Sequence, residues 1–281
     1  MTIVGVGLIG GSLGLAAKQA GLVARVAGVS RSAANRAVAL RRGLVDEACE
    51  DLAGPLGASD LVVLATPVGA ITRLLPEVAR GIPAGALVTD VGSVKGPIAA
   101  AGDTALPDGR FVPGHPIAGK ERSGPEAAAA DLFAGAPCIL TPTAHTRPDA
   151  VERIAALWRG VGGAVLQLEP AWHDDLFASV SHLPHLVAFA LMDAVLALER
   201  DGRRVRYSGG GLRDFTRVAG SDPVMWRDIF LMNRDMVLKS LAEYRGALDR
   251  FETAIRTGDG DALAALMARA RAAREEIAHR P

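Results

Sequence analysis

Cysteine is scarce in this sequence, with only Cys49 and Cys138 among 281 residues. Two isolated cysteines do not build a disulfide framework, and they fit a reduced cytoplasm. An excess of charge of either sign is also lacking, because 31 basic and 31 acidic residues leave a formal net charge of zero. No electrostatic attraction to nucleic acid or to an anionic membrane is therefore expected.

Long hydrophobic runs are missing as well. Apolar residues make up 49% of the chain, but they are spread through periodic segments. No continuous run of about 18 apolar residues predicts a membrane-spanning helix. The first residues read directly as a strand, without a basic leader or a cleavage site. We expect a cytoplasmic protein with no membrane partner.

Glycine, by contrast, is concentrated in one informative stretch. Gly5, Gly7 and Gly10 follow an apolar strand at residues 3–4 in the pattern G-x-G-x-x-G, and a helical pattern and a second strand at 26–29 come next. These glycines permit a tight turn, a close approach to a pyrophosphate and close helix–strand packing. The stretch predicts dinucleotide binding, and the alternative is a glycine-rich turn that binds nothing.

The end of the second strand bears on which dinucleotide binds. NAD-binding units usually carry Asp or Glu about 20 residues beyond the glycines, whereas this chain has Ser30 followed by Arg31. A hydroxyl and a guanidinium suit a 2′-phosphate, so we expect NADP to be favoured over NAD. Alternatively, Arg31 is a solvated loop residue and NAD binds without the acid.

The order of the remaining segments predicts the fold. Strands at 60–67, 86–91, 111–115, 136–141 and 164–168 alternate with helices at 33–43, 71–79 and 149–160 and one after Lys95, which indicates a parallel sheet. From residue 171 onward the patterns are helical, at 174–199 with an interruption around Pro184, at 223–251 and at 261–278. We expect an α/β Rossmann-type nucleotide-binding domain at 1–170, followed by an all-α substrate-binding and dimerisation domain at 171–281.

Polar residues at the ends of the predicted strands are the first site candidates, because ligands of parallel sheets bind beyond the carboxyl ends of the strands. Thr66, Ser93 and His115 occupy such positions. The residues expected to contact the cofactor are Gly5, Gly7, Leu8, Ile9, Gly10, Ser30, Arg31, Thr66, Pro67 and Ser93. A histidine facing a nicotinamide can accept a hydroxyl proton as hydride leaves, although a histidine such as His115, taken alone, is more often structural.

Two further groups lie in the helical part. His182 and His185 are spaced as metal ligands could be, but no third ligand is visible nearby, so we expect no metal. Arg213 and Arg217 lie about one helical turn apart and could hold a carboxylate. Salt bridging with Asp214 at the surface explains them equally well.

Five motifs in series resemble the prephenate/arogenate dehydrogenase family: G-x-G-L-I-G-G-S, D-V-G-S-V-K, G-H-P-I-A-G-K-E, S-H-L-P-H and G-G-G-L-R-D-F-T-R followed by D-P-x-x-W. The resemblance implies oxidative decarboxylation in tyrosine biosynthesis, with hydride passing from C4 of the substrate ring to NAD(P). It implies that His115 is catalytic, with Ser93 near nicotinamide and substrate. The residues it implies for substrate binding are Arg217, Arg213, Asp214, His185, Glu121 and Trp226.

Retention of His185 resembles prephenate-using or dual-specificity members more than arogenate-specific ones. Two other classes stay open. Reductases and hydroxyacid dehydrogenases share a nucleotide domain with a helical dimer domain but usually rely on a helix-borne lysine, and the chain after Pro170 holds only Lys239. A nucleotide sensor needs the glycines but not His115 together with Arg217.

Overall fold

The computed structural model describes residues 1–120, 122–199 and 206–278. The chain divides into two compact units, Met1–Arg234 and Asp235–Pro281. Both sheets lie in the first unit, and the described part of the second unit is helical. The boundary expected between residues 170 and 171 stays a prediction.

A six-stranded parallel sheet forms the centre of the first unit. Its strands are β1 (Thr2–Val4), β2 (Ala27–Val29), β3 (Glu47–Cys49), β4 (Leu61–Leu64), β5 (Leu87–Asp90) and β6 (Phe111–Val112). Their order is β3-β2-β1-β4-β5-β6, and every neighbouring pair is parallel. This is the Rossmann order, so the predicted fold class is confirmed. Strand β3 was missed by the sequence reasoning because it is short and largely unburied.

Four helices connect these strands, and apolar side chains cover both faces of the sheet. The helices are α1 (Leu8–Gln19), α2 (Ala33–Arg41), α3 (Val68–Gly81) and α4 (Gly96–Ala105). One core includes Ile3 and Leu13, and the other includes Leu64, Ile98 and Trp226. Burial on both faces explains why the central strands read as continuous apolar runs.

A separate three-stranded sheet corrects one prediction. The segment 111–115 is not a single strand, because the chain leaves the first sheet at Pro113 and starts β7 (Gly114–Pro116) in a second sheet. Proline has no N–H to donate to a sheet ladder, so it marks such an exit. Strand β7 pairs antiparallel with β8 (Pro137–Leu140), opposite the parallel arrangement that was expected.

The second sheet is completed by a crossover. Helix α5 (Pro148–Gly160) leads from β8 to β9 (Ala164–Gln167), and these two strands are parallel. His115 therefore lies within a strand of the second sheet, beside the first sheet, and not at a strand end of the first sheet.

The remaining described elements are helical. They are α6 (Pro170–Phe177), α7 (Leu183–Ala197), α8 (Gly210–Thr216), α9 (Pro223–Met232), α10 (Arg234–Thr257) and α11 (Gly260–Ala278). The predicted helix at 223–251 is divided at Asn233. The expected interruption around Pro184 is absent, since a π-helical stretch, Ala178–His182, joins α6 to α7. Such a wide turn relieves the clash between a proline ring and the carbonyl of the preceding turn.

The continuous helical stretch Pro170–Ala197 also corrects the expectation about hydrophobic runs. By length and composition alone it is apolar enough to cross a membrane, and most of it is not buried within the chain. Several large apolar side chains of this stretch and of later helices are exposed, among them Val180, Leu196, Leu231 and Leu238. Exposed apolar side chains are typical of a protein interface where they form a contiguous patch.

Candidate active site

The glycine turn after β1 is fixed by backbone contacts. Gly5 has a φ of 103°, and a Cβ atom there would lie 2.4 Å from the carbonyl oxygen of Ala65. A Cβ on Gly10 would lie 2.1 Å from the carbonyl oxygen of Gly5. Any other residue at these two positions would clash or be strained, so the turn and the start of α1 are held tightly against β4.

Gly7 has the opposite surroundings. No atom lies within 4 Å of the position that its Cβ would take, and no side chain caps α1. The first helical N–H groups, on Leu8, Ile9 and Gly10, have no partners within the helix. Open space beside unpaired N–H groups at a helix N-terminus is suited to an anion.

Thr66 and Pro67 line the same edge of the sheet. The backbone N of Thr66 lies 3.0 Å from where a Cβ of Gly5 would be, and Pro67 precedes the first residue of α3. The buried Oγ1 of Thr66 has no hydrogen-bond partner among the described residues. The glycine turn, the start of α1 and this unpaired hydroxyl fit the diphosphate of a dinucleotide.

The end of β2 carries two guanidinium groups. Arg31 is exposed. Arg36 donates to the carbonyl oxygens of Ser30 at 2.6 Å and of Arg31 at 3.1 Å, and it pairs with Glu50 at 3.0 Å. Ser30 accepts a hydrogen bond from Ser32 N at 3.3 Å. The sequence reasoning identified Arg31 but missed Arg36, which is brought back to the strand end by the first turn of α2.

A buried ion pair follows β5. The side chains of Asp90 and Lys95 are both completely buried and in contact with each other. Lys95 Nζ donates to the carbonyl oxygen of Gly114 at 2.7 Å, and Gly114 N donates to Asp90 Oδ1 at 3.1 Å. The pair therefore holds both backbone polar groups of the residue before His115. In the sequence, Ser93 lies between Asp90 and Lys95, and it is partly exposed.

The same pair is stabilised by the backbone of its own turn. Gly92 N donates to Asp90 Oδ2 at 2.8 Å. Burial raises the pKa of Asp90 and lowers the pKa of Lys95, and the opposite charge of each partner counteracts that shift. A buried pair is stable only when further hydrogen bonds accompany it, and the three backbone contacts supply them.

His115 contacts a second histidine. Its Nδ1 lies 2.9 Å from Nε2 of His173, and Nδ1 of His173 lies 2.8 Å from Oδ1 of Asp174. The ring of Phe177 packs against His115 with centroids 4.9 Å apart and stacks on His173 at 4.5 Å. Burial lowers the pKa of His115 well below its usual value, and electrostatic interactions with His173, Lys95 and His182 lower it further. His115 is therefore a neutral imidazole at pH 7.

His182 belongs to a neighbouring polar cluster. Its Nδ1 lies 3.1 Å from Nδ2 of Asn233, which also donates to the carbonyl oxygen of Asp174 at 2.8 Å. Burial lowers the pKa of His182 to about 4. Within the ranges that the structure describes, no group of three or more His, Cys, Asp or Glu side chains is arranged to hold a metal ion.

His185 follows His182 by about one helical turn and lies in the first turn of α7. Its ring stacks on Trp226 with centroids 3.7 Å apart, and its Nδ1 lies 2.9 Å from the carbonyl oxygen of Ser181. Burial lowers the pKa of His185, the hydrogen bond to Ser181 opposes the shift, and the positive charge of Arg217 adds to it. His185 and Trp226 are thus in direct contact, and Arg217 is near enough for its charge to act on the His185 ring.

The other predicted substrate contacts are less well defined. Arg213 and Asp214 lie exposed on α8, which packs against α7. Glu121 lies outside the described residues. The structure therefore places Arg213 and Asp214 near the helix that carries His185 without bringing them into a described contact with its ring.

The partners of His115 were missed by the sequence reasoning. His173 is 58 positions away from His115 in the chain, and Asn233 follows Asp174 by 59. The adjacent pair His173–Asp174 was visible as a local signal, but only the tertiary packing of α6 against α4 brings it to β7.

Comparison with known proteins identifies the family. A family model described as the prephenate dehydrogenase nucleotide-binding domain matches residues 13–167, and the corresponding dimerization domain matches residues 169–269. The chain belongs to the prephenate dehydrogenase family.

Individual members of the family are similar over nearly the whole chain. The cyclohexadienyl dehydrogenase of Zymomonas mobilis is 37% identical over 94% of this chain and 90% of its own length. A crystal structure of Aquifex aeolicus prephenate dehydrogenase with hydroxyphenyl propionate and NAD⁺ has a TM-score of 0.94 and 36% identity, covering 98% of this chain and 97% of that one. Synechocystis arogenate dehydrogenase has a TM-score of 0.82 and 34% identity, covering 98% and 99%.

The contrast between Gly7 and Gly10 leads to a first prediction. Gly10→Ala should lower the free energy of unfolding by about 1–3 kcal/mol, because its methyl group meets backbone. Gly7→Ala should leave that free energy unchanged, because its methyl group enters open space. The same methyl group would occupy the position proposed for the phosphates, so NAD(P) binding should weaken by about tenfold or more, or ~1.4 kcal/mol. Urea unfolding and calorimetric titration measure the two effects. Unchanged cofactor affinity in Gly7→Ala would contradict the proposed phosphate position.

The buried ion pair leads to a second prediction. Lys95→Met should lower the free energy of unfolding by about 3–5 kcal/mol, because it leaves the Asp90 carboxylate buried without its partner. Lys18→Met is the matched control, since Lys18 pairs with Asp46 at the surface and such pairs contribute about 0–1 kcal/mol. Urea denaturation at one fixed protein concentration compares them. Equal, small losses would contradict the structural role of Lys95.

Proposed function

We propose that this chain catalyses the NAD(P)-dependent oxidative decarboxylation of prephenate to 4-hydroxyphenylpyruvate, a step of tyrosine biosynthesis, and that it also accepts arogenate. Residues 1–170 bind the nucleotide and residues 171–281 carry the substrate contacts and the dimer interface. The observation that carries the proposal is the neutral His115. The Asp90–Lys95 pair holds it beside the end of β5, and it contacts α6, which continues through the π-helical stretch into the helix that carries His185.

His115 acts on the ring hydroxyl of the substrate. A neutral imidazole accepts the hydrogen bond, and in part the proton, of the C4 hydroxyl as the C4–H electron pair leaves as hydride. The bond to the ring carboxylate then breaks, its electrons make the ring aromatic, and carbon dioxide departs. The bound nicotinamide supplies the hydride acceptor. Because aromatisation drives the reaction, the protein contributes mainly positioning and polarisation.

The other site residues orient the substrate. Ser93, in the turn between Asp90 and Lys95, lies between nicotinamide and substrate. Arg217 binds a substrate carboxylate as a charge-assisted pair, supported by Arg213 and Asp214. Glu121 is assigned to the pocket entrance on the resemblance alone.

His185 bears on the choice between prephenate and arogenate. A carbonyl oxygen only accepts hydrogen bonds, so Nδ1 of His185 donates to Ser181 and the neutral ring presents Nε2 as an acceptor. The ammonium group of arogenate is a donor that this lone pair can accept. His185 therefore does not exclude arogenate, which is why the proposal includes it as a second substrate.

We further propose a homodimer formed through the helical part and located in the cytoplasm. The exposed apolar side chains of Pro170–Ala197 and of the later helices support a protein interface, and the matched family domain is one of dimerization. Burial of these side chains by a second copy also accounts for an apolar helix without a membrane partner.

The proposal predicts turnover of prephenate, followed as cofactor reduction at saturating NAD(P). His115→Asn should lower kcat by about 10²–10⁴-fold, the usual contribution of a general base, while cofactor binding survives. His145→Asn is the control, because His145 is exposed and should leave kcat unchanged.

The outcomes separate the competing functions. Turnover of arogenate but not of prephenate would narrow the substrate to arogenate. No turnover of either substrate, with cofactor binding intact, would contradict the proposal and favour another reductase or a nucleotide sensor. Unchanged kcat in His115→Asn would contradict the assigned mechanism.

We also propose that NADP is favoured over NAD. Ser30 takes the place of the carboxylate that would repel a 2′-phosphate, and the guanidinium groups of Arg31 and Arg36 lie at the same strand end. Of these two guanidinium groups, Glu50 pairs with that of Arg36 only.

Arg31→Ala should raise KM for NADP by about tenfold or more, corresponding to ~1.4 kcal/mol, and leave KM for NAD unchanged. Arg80→Ala is the control, because Arg80 lies in the last turn of α3, away from the strand carboxyl ends. Initial rates against each cofactor provide both constants. A lower KM for NAD than for NADP in the unaltered enzyme would overturn the preference.

A further inference from the structure

A continuous chain of hydrogen bonds connects the N-terminus of α4 with His115. We propose that Asp174 and His173 are positioning residues that fix His115 as its Nδ1–H tautomer and leave Nε2 as the base that meets the substrate. The role in catalysis rests on the proposed function, whereas the tautomer itself does not.

The series of hydrogen bonds starts at the carboxylate of Asp174, which accepts two backbone N–H groups. Asp174 Oδ1 accepts from Lys95 N at 2.7 Å, and Oδ2 accepts from Gly96 N at 2.8 Å. Both oxygens are therefore acceptors for N–H groups at the N-terminus of α4, which have no partner within the helix. Because both oxygens already act as acceptors, the adjacent Nδ1 of His173, at 2.8 Å from Oδ1, must be the donor.

The donor-to-acceptor direction of this first hydrogen bond fixes that of the next one, because both involve the ring of His173. The His173 side chain is completely buried, and burial lowers its pKa, so the ring is neutral and carries one proton. Because that proton is on Nδ1, Nε2 of His173 is an acceptor. The contact of 2.9 Å between this Nε2 and Nδ1 of His115 therefore requires a proton on Nδ1 of His115.

His115 is left with its lone pair on Nε2. Among the described residues, the titratable groups that act on this ring are His173 from α6, Lys95 from the turn before α4 and His182 from the π-helical stretch, and none of these three is an anion. Phe177 packs against both imidazole rings, which limits the access of water to the bond between them. Water is therefore a poor competitor for Nδ1, and the protein selects the tautomer.

The arrangement also stabilises the charge that develops. When Nε2 of His115 takes the hydroxyl proton, the positive charge can be shared through the His115–His173 hydrogen bond toward the Asp174 carboxylate. After the ring has become aromatic, His115 returns the proton to the same oxygen, which is now phenolic. The protein therefore gains or loses no proton over the reaction. The logic is that of a serine-protease triad, in which a buried carboxylate orients a histidine, with one more imidazole inserted.

Histidine tautomers can be read directly in the full-length enzyme without substrate. Long-range ¹H–¹⁵N correlation spectra of ¹⁵N-histidine-labelled protein at pH 7.5 distinguish Nδ1–H from Nε2–H, and the His115 signals are those lost in His115→Asn. We expect the Nδ1–H pattern. The Nε2–H pattern would overturn the proposal even if the enzyme turns over prephenate. The Nδ1–H pattern without turnover would leave the tautomer standing and defeat the proposed function.

Two variants test the link to catalysis. His173→Phe removes the acceptor, so His115 should change to the Nε2–H pattern and kcat should fall by about 10²–10⁴-fold, with KM for the cofactor unchanged. His173→Gln offers an amide oxygen in place of Nε2 and should retain a kcat at least about tenfold above that of His173→Phe. His145→Phe, at an exposed site, is the control. Equal losses in both His173 variants, or an unchanged His115 spectrum in His173→Phe, would contradict the positioning role.

Discussion

The buried contact between Asp90 and Lys95 connects the parts of the site. Asp90 ends β5 of the nucleotide sheet, and Lys95 lies at the start of α4. Together they bind both backbone polar groups of Gly114 and so set the position of His115. The two partners are costly to bury separately, which means that β5, the turn and β7 keep their relative placement as long as the chain is folded. His115 is thereby attached to the nucleotide-binding sheet, although it belongs to another sheet.

The same turn also positions α6, the first helix of the helical part, at the site. The N–H groups of Lys95 and Gly96 hold the carboxylate of Asp174, which brings α6 against α4 and places His173 on His115. From there the π-helical stretch and α7 carry His182 and His185 past Trp226. One short segment, D-V-G-S-V-K-G, thus serves two purposes. Its side chains fix the histidine, and its backbone fixes the element that orients the histidine.

Local patterns were sufficient for much of this fold, because buried strands and amphipathic helices leave periodic traces in the sequence. The glycine turn and most strands and helices were predicted in that way. The candidates His115, His185 and Arg217 came instead from a strand-end position, from residue spacing and from the resemblance to the family. Features that depend on tertiary pairing were not. The exit of the chain at Pro113, the division of a helix at Asn233 and the contact of His115 with His173 each depend on a partner distant in sequence, and no local period reports such a partner.

In the proposed mechanism, Nε2 of His115 is the atom that meets the reacting hydroxyl beside the nicotinamide. The most direct test is a crystal structure of this protein with NAD(P)⁺ and hydroxyphenyl propionate, whose ring hydroxyl stands in for the substrate hydroxyl. We expect a hydrogen bond of about 2.6–3.2 Å between that hydroxyl and Nε2 of His115, with Nδ1 still bound to His173. A hydroxyl bound to another group, or a His115 ring turned away from His173, would contradict it.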